Sequence, residues 1–297
     1  MTKQLKADLS LILVTVVWGS SFPIMSIALK SIPPYSFIAL RYILAAIIIG
    51  VISIKKLKNC NKNMVKSGVL IGLALGIGSI LQAVGLVYTS SSKSGFITGL
   101  NVVMVPLFLA FLYKKFPDFK TIIGIVISVI GLGLMSISGD LGLNKGDFLT
   151  LLSAVCFAVQ IILVDKYTEN TDIAILTFIE LLTVGIISLV PAVFVDRLKM
   201  DLNTFSFGAI LFTAIFCTVF AYGLQNIAQM YTTPTHAAII FLAEPVFSAI
   251  FSVFIGDKLT GKALLGCLLI LSGMIVINLQ LPQIREERKE ERKEEIA

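Results

Sequence analysis

Apolar residues run along this chain in ten blocks of roughly 20, each long enough to cross the hydrocarbon core of a bilayer as a helix. The pattern predicts spans at 8–29, 34–54, 66–87, 93–113, 120–138, 146–165, 172–195, 205–227, 235–256 and 260–280. The connections between them are short and carry turn residues: Pro33-Pro34, Pro117-Asp118, Gly139-Asp140, Glu169-Asn170 and Gly256-Asp257. An all-α polytopic membrane protein is expected.

The polar positions repeat as well. Asp8 and Asp147 open the first and sixth blocks 139 positions apart, and Arg41 and Glu180 keep that offset. Gln82 matches Gln225, and Tyr88 matches Tyr231, at 143 positions. Gly124 matches Gly266, and Gly131 matches Gly273, at 142. The slips between these offsets are small enough for loops to absorb. The chain thus reads as two five-helix units, 8–138 and 146–281, followed by a charged tail at 282–297. A unit with an odd number of crossings must insert its second copy upside down, and inverted repeats are a mark of secondary transporters.

Composition supports the membrane assignment. Of 297 residues, 57% are hydrophobic and 14% charged, with a mean hydropathy of +0.94. No single soluble core hides that much apolar surface, so lipid is the expected solvent. The net charge of +6 is spread over loops and tails rather than one face, which argues against nucleic acid as a partner. With the N-terminus inside, most of the 24 Lys and Arg residues fall on the cytoplasmic side, among them Lys55, Lys56, Lys58, Lys62 and Lys66. Both termini are then cytoplasmic, and the cell membrane is the expected location. The first block is too long for a signal-peptide core and lacks a cleavage site, so it should remain in the mature protein. Three cysteines lie in apolar blocks and Cys60 in a Lys-rich loop, a spacing that suggests neither disulfides nor metal ligands. The tail, with nearly balanced charge, reads as a solvated extension; a partner- or lipid-binding handle is the alternative.

Gly68, Gly72 and Gly76 form a small-residue stripe on the third helix, and Gly124, Gly131, Gly266 and Gly273 do similar duty on the fifth and tenth. Such stripes let backbones approach closely, and packing is the favoured role. A homodimer through the fifth or tenth helix is the alternative.

Polar groups inside a membrane are costly and therefore informative. Arg41 in the second helix and Glu180 in the seventh each have two readings, a snorkelling interfacial residue or a group facing a polar cavity. Inversion places them toward opposite membrane faces, which argues against direct pairing. Glu244 lies near the middle of the ninth helix, next to Pro245, where a kink is expected because proline removes a backbone donor. It is a candidate site for a substrate amine or a proton; a neutral, hydrogen-bonded carboxyl is the bland alternative. The first helix carries Trp18-Gly19-Ser20-Ser21-Phe22-Pro23, read either as an interruption lining a cavity or as a kink satisfied by the serine hydroxyls. Gln82, Asn101, Gln160, Gln225, Asn226 and Gln229, with Tyr222, sit on helices three, four, six and eight, a clustering that points to one polar cavity. Lys93 and His236 open the fourth and ninth helices, where interfacial anchoring is the simplest role. A nucleophile elbow, a zinc-protease motif and a phosphate loop are all missing, so no enzyme activity, metal or cofactor is expected.

Two runs make a family likeness visible. Tyr88-Thr89-Ser90-Ser91-Ser92-Lys93-Ser94-Gly95-Phe96-Ile97-Thr98-Gly99-Leu100 resembles the fourth-helix entry of the drug/metabolite transporter superfamily, EamA type. Thr233-Pro234-Thr235-His236-Ala237-Ala238, continuing to Leu242-Ala243-Glu244-Pro245-Val246-Phe247, resembles its ninth-helix motif. Trp18-Gly19, the Gly256-Asp257-Lys258-Leu259-Thr260 turn and Gly273 fit too. The likeness spans about residues 8–281. It departs at His236, where the family often has Arg, and at Asp257, where it often has Glu.

The resemblance implies two inverted five-helix repeats, cytoplasmic termini and alternating access around a central cavity lined by helices one, three, four, six, eight and nine. The expected function is export of a small polar or amphipathic metabolite, such as an amino acid. Uptake or facilitated diffusion of the same solutes, or a non-transporting sensor, are the rivals. The expected cavity residues are Trp18, Ser21, Gln82, Asn101, Gln160, Tyr222, Gln225 and Glu244, with Glu244 also the candidate for proton coupling. The expected partners are the solute and the bilayer.

Overall fold

A computed structural model describes residues 3–114, 116–136, 144–168, 171–198, 200–254 and 260–278. Every long element among them is a helix, and ten apolar helical stretches follow one another. We label them α1 (Lys3–Ala28), α2 (Pro34–Ile52), α3 (Lys62–Tyr88), α4 (Ser91–Gly99 with Asn101–Tyr113), α5 (Phe119–Ser136) and α6 (Lys145–Thr168). The series continues with α7 (Ile173–Phe194), α8 (Thr204–Ala214, Ile215–Phe220 and Ala221–Gln229), α9 (Pro234–Phe241 with Ala243–Phe254) and α10 (Gly261–Asn278). Eight of these meet the length and hydropathy of a membrane span, and α5 and α10 are shorter apolar helices. The turns at Gly139-Asp140, Glu169-Asn170 and Gly256-Asp257 and the tail at 282–297 lie outside the described residues.

Side-chain caps set several helix starts. Asn61 accepts from the Met64 N–H, Asp172 from Ala174, Asn203 from Ser206 and Thr233 from His236. Asp172 also pairs with Lys56 at 3.1 Å, tying the short turn after α2 to α7. Burial works against the charge of this carboxyl, but the Lys56 ammonium and the Ala174 N–H outweigh it and hold the group below the usual carboxylate range.

The two halves interlock rather than standing side by side. α2 packs on α7, α5 on α10, α3 on α6, and α1 on α9. Equivalent helices run antiparallel: Gly50 of α2 faces Phe178 while Gly185 of α7 faces Ile43. The α5–α10 seam is reciprocal. A Cβ on Gly131 would lie 2.6 Å from the Gly266 carbonyl, and one on Gly266 would lie 2.5 Å from the Gly131 carbonyl. Gly273 meets Gly124 in the same way. A contact in which each residue meets the other's counterpart is what a twofold relation produces, so the repeat read from offsets exists in space as an inverted pair.

The glycine faces of α5 and α10 are therefore occupied within the chain. Gly68, Gly72 and Gly76 likewise face Ile179, Thr183 and Ile187 of α7. Gly266→Val should break the seam, because two of the atoms in its way, the Gly131 carbonyl oxygen and the Met135 nitrogen, are backbone and cannot swing aside; overpacking of this kind costs about 1–3 kcal/mol. We expect a lower melting temperature for the detergent-solubilised variant, and an unchanged melt would mean that the helices do not meet there.

The outer surface is apolar. Ile47, Val51, Phe111, Phe194, Leu268 and Ile275 are all exposed. A belt this extensive is unusual on a soluble monomer and matches contact with lipid.

Candidate functional site

Broken helices converge at the centre of the bundle. α9 stops at Leu242 and restarts at Ala243, as the missing N–H of Pro245 predicts. α4 breaks at Leu100, 142 positions before Leu242, so the two halves are interrupted at matching places. Asn101 directly follows one break, and Glu244 lies two residues after the other. α1, by contrast, is continuous across Trp18–Pro23: the Ser20 and Ser21 hydroxyls donate to the carbonyls of Val17 and Trp18, both at 2.7 Å. Of the two readings for this stretch, the interruption is absent, and the serine hydroxyls bond the backbone as the other reading has it.

A third irregularity has no sequence signature. Ile215–Phe220 of α8 forms a π-helical turn, a rare conformation that recurs at functional sites. The Thr218 hydroxyl donates to the Thr213 carbonyl at 2.8 Å, spanning the widened turn. Arg41 reaches it from α2, with Nε donating to Thr218 Oγ1 at 2.7 Å and Nη2 to the Cys217 carbonyl at 3.0 Å. Trp18 Nε1 donates to the same carbonyl at 3.0 Å.

Between these elements lies a cavity; about 700 Å³ of space, part of it open to solvent, separates its lining residues. Trp18, Ser21, Gln82, Asn101, Gln160, Tyr222, Gln225 and Glu244 all line it, so the structure brings the eight sequence candidates together. Arg41 lines it too, with a side chain that is buried rather than snorkelling. Its planar fork is fixed by two bonds to α8, which leaves Nη1 as the remaining nitrogen of the guanidinium. The walls are aromatic. The Trp18 ring centroid lies 5.2 Å from that of Tyr222 and 5.3 Å from that of Phe241. Tyr42 donates to the Tyr222 hydroxyl at 3.2 Å and bonds Ser79 at 3.0 Å. Gln82 Nε2 donates to Thr98 Oγ1 at 3.1 Å.

Glu180 fits neither expected reading. It is fully buried and sits behind the cavity wall, accepting from Gln160 Nε2 at 3.1 Å and from Asn226 Nδ2 at 2.8 Å. A carboxylate only accepts, so it turns both amide nitrogens toward itself. Gln160 Oε1 then accepts from Gln225 Nε2 at 3.2 Å, and Gln225 also donates to Gln229 Oε1 at 2.7 Å. Gln229 ends this chain on the Ile161 carbonyl at 3.0 Å. The six amides thus divide. Gln82, Asn101, Gln160 and Gln225 face the cavity, while Asn226 and Gln229 bind helices together behind it.

Lys93 and His236 are also more than anchors. Lys93 Nζ lies 2.7 Å from Asp147 Oδ2, and His236 Nε2 lies 3.0 Å from Asp8 Oδ1. The sequence did hold part of the signal, since each pair joins one of the offset-matched aspartates, Asp8 or Asp147, to a basic residue that opens the fourth or ninth helix. What it lacked was the proximity of α1 to α9 and of α4 to α6. Tyr42, Ser79 and Thr98 went unremarked because single hydroxyls in apolar blocks satisfy themselves on backbone too often to stand out.

Comparison with known proteins agrees with this architecture. The model of the EamA-like transporter family matches residues 5–137 and again 144–279. An "Uncharacterized transporter" of Archaeoglobus fulgidus is 35% identical over 94% of this chain and 88% of its own. A "Probable amino-acid metabolite efflux pump" of Salmonella typhimurium is 25% identical over 89% of this chain and 92% of its own. One solved crystal structure superimposes with a TM-score of 0.78 over 92% of this chain and 96% of that one; at 16% identity it speaks to the fold alone.

Proposed function

The chain belongs to the EamA-like transporter family, and from that premise we propose that it exports small amphipathic zwitterions, amino acids or close relatives of them, by alternating access. Transport is the family's activity rather than any bond-making chemistry, and the chain is a multi-pass membrane protein. We place it in the cell membrane with both termini in the cytoplasm, on the loop-charge asymmetry.

One observation carries the choice of solute. The same aromatic-walled cavity holds a guanidinium, Arg41, and a carboxyl, Glu244, on different helices. A cation held by planar donors suits a carboxylate. A carboxyl in the same cavity suits an ammonium, and the Trp18, Tyr222 and Phe241 rings suit an apolar side chain. The printed name of the Salmonella relative favours the same solute class and the outward direction.

Reconstituted vesicles test both points. Preloaded labelled neutral amino acids should leave faster than control solutes lacking either the amino or the carboxyl group; equal rates for all three would remove the zwitterion reading. Glu244→Gln should slow export and abolish its response to an imposed pH gradient. A variant that remained fully pH-responsive would sink a coupling role for Glu244. Accumulation against the expected direction would favour uptake instead.

A further inference from the structure

Asp8 and Asp147 are counterparts 139 positions apart, and Lys93 and His236 are counterparts 143 apart. The structure crosses them: Asp8 pairs with His236, and Asp147 with Lys93. Each pair therefore joins the first helix of one half to the fourth helix of the other. The two are the same contact seen twice under the inverted twofold.

They lie at opposite ends of the bundle. Ala28 at the end of α1 shares an apolar cluster with Leu86 near the end of α3. Gly85 of α3 in turn packs on Gly146 beside Asp147. The Asp147 end is thus the far end of α1 from Asp8, and 20 helical residues place the two pairs about 30 Å apart. Trp18 and Ser21, which line the cavity, sit between them.

Both pairs are built in rather than incidental. The Asp147 carboxylate is nearly inaccessible and accepts from Thr89 Oγ1 at 2.7 Å, from the Asn144 N–H at 2.9 Å and from Lys93. His236 is 2% exposed, and the N–H that its own backbone offers is capped by Thr233. An exposed surface pair contributes little, whereas one at the buried end of a helix seam resists opening of that seam.

We propose that these two pairs are the latches of the two gates, one for each membrane face. Releasing the Asp147–Lys93 latch lets the first segment of α4 leave α6 and opens the cavity at that end. Releasing the Asp8–His236 latch lets the first segment of α9 leave α1 and opens it at the other. The breaks at Leu100 and Leu242 are where each segment pivots. Both latches are formed in this structure, and weakening one shifts the population toward opening on its own side and closing on the other. The inference rests on the alternating-access part of the reading above but not on the identity of the solute.

Hydrogen exchange of the full-length protein in lipid nanodiscs tests this without substrate. In Asp147→Asn, exchange over residues 88–95 and 144–150 should rise by about tenfold, the effect of roughly 1.4 kcal/mol on an opening equilibrium. Exchange over residues 3–12 and 231–240, at the remote end, should fall. Asp8→Asn should give the mirror image. Lys93→Gln and His236→Gln break the same pairs from the other partner and serve if an Asp variant does not fold. The combined exchange Lys93→Asp with Asp147→Lys should restore the wild-type pattern only in part, since a lysine cannot accept from Thr89 and the Asn144 N–H. Fraying confined to the mutated end, or a rise at both ends, overturns the proposal. If the reciprocal pattern appears but no amino acid is moved, the latches stand and the solute reading falls.

Discussion

Replacing Arg41 with methionine is expected to lower transport by about 100-fold or more, which corresponds to losing roughly 2.7 kcal/mol of interaction with the solute. The guanidinium is the cation contributed to the cavity by α2, and methionine keeps the apolar stem while deleting both the charge and the donors. The fold should survive, because Trp18 Nε1 still donates to the Cys217 carbonyl of the π-helical turn. Arg41→Lys should fall between the two: charge is kept, but one ammonium cannot reproduce a fork that bonds Thr218 and Cys217 together. Initial rates of amino-acid counterflow in proteoliposomes, with a melting curve for each variant, provide the check. Wild-type rates in Arg41→Met, with an unchanged preference for carboxylate-bearing solutes, would show that the guanidinium only braces α8.

Glu180→Leu should be the most destabilising single change near the cavity. The leucine removes an acceptor from two buried amides and leaves the Gln160 and Asn226 nitrogens without that partner. Each stranded donor costs about 1–3 kcal/mol, softened in a bilayer because a loosened membrane helix finds other partners. A fall in melting temperature of roughly 5–10 °C follows. Glu180→Gln should cost less, since it keeps one acceptor oxygen and the shape. Its new amide nitrogen faces a donor, however, so either Gln160 or Asn226 must turn around. If Gln160 turns, the polarity of the chain through Gln225 reverses and the cavity presents a donor where it presented an acceptor. Transport by Glu180→Gln should then fall more than its stability does. A Leu variant that melts and transports like wild type would rule out this buttressing role.

Much was legible in one dimension because membranes simplify the problem. Lipid requires each backbone group to be satisfied within its own segment, so apolar blocks of sufficient length become helices with few alternatives. The same solvent makes each polar residue within a block expensive, which is why Gln82, Gln160, Gln225 and Glu244 could be singled out and why they converge on one cavity. Proline chemistry located the α9 break, but at Pro23 it left an interruption and a serine-satisfied turn of helix both open, and only the structure showed that α1 continues there.

Position alone could not assign roles to charged residues. Arg41 and Glu180 hold matching places in the two halves, yet one lines the cavity and the other lies behind it. The difference comes from α8, whose π-helical turn presents Thr218 and Cys217 to Arg41, and whose Asn226 reaches Glu180. No local pattern encodes that turn.

The sequence by itself determined the membrane class, the helix order, the duplication and the polar inventory, because each follows from hydropathy and spacing along one chain. Only the tertiary structure decided which matched residues cross over to meet each other, which helices break, and which polar groups face the cavity. Those outcomes depend on packing between different helices, some far apart in the chain, as in the Asp8–His236 contact across 228 positions, and close approach in space leaves no trace in local composition.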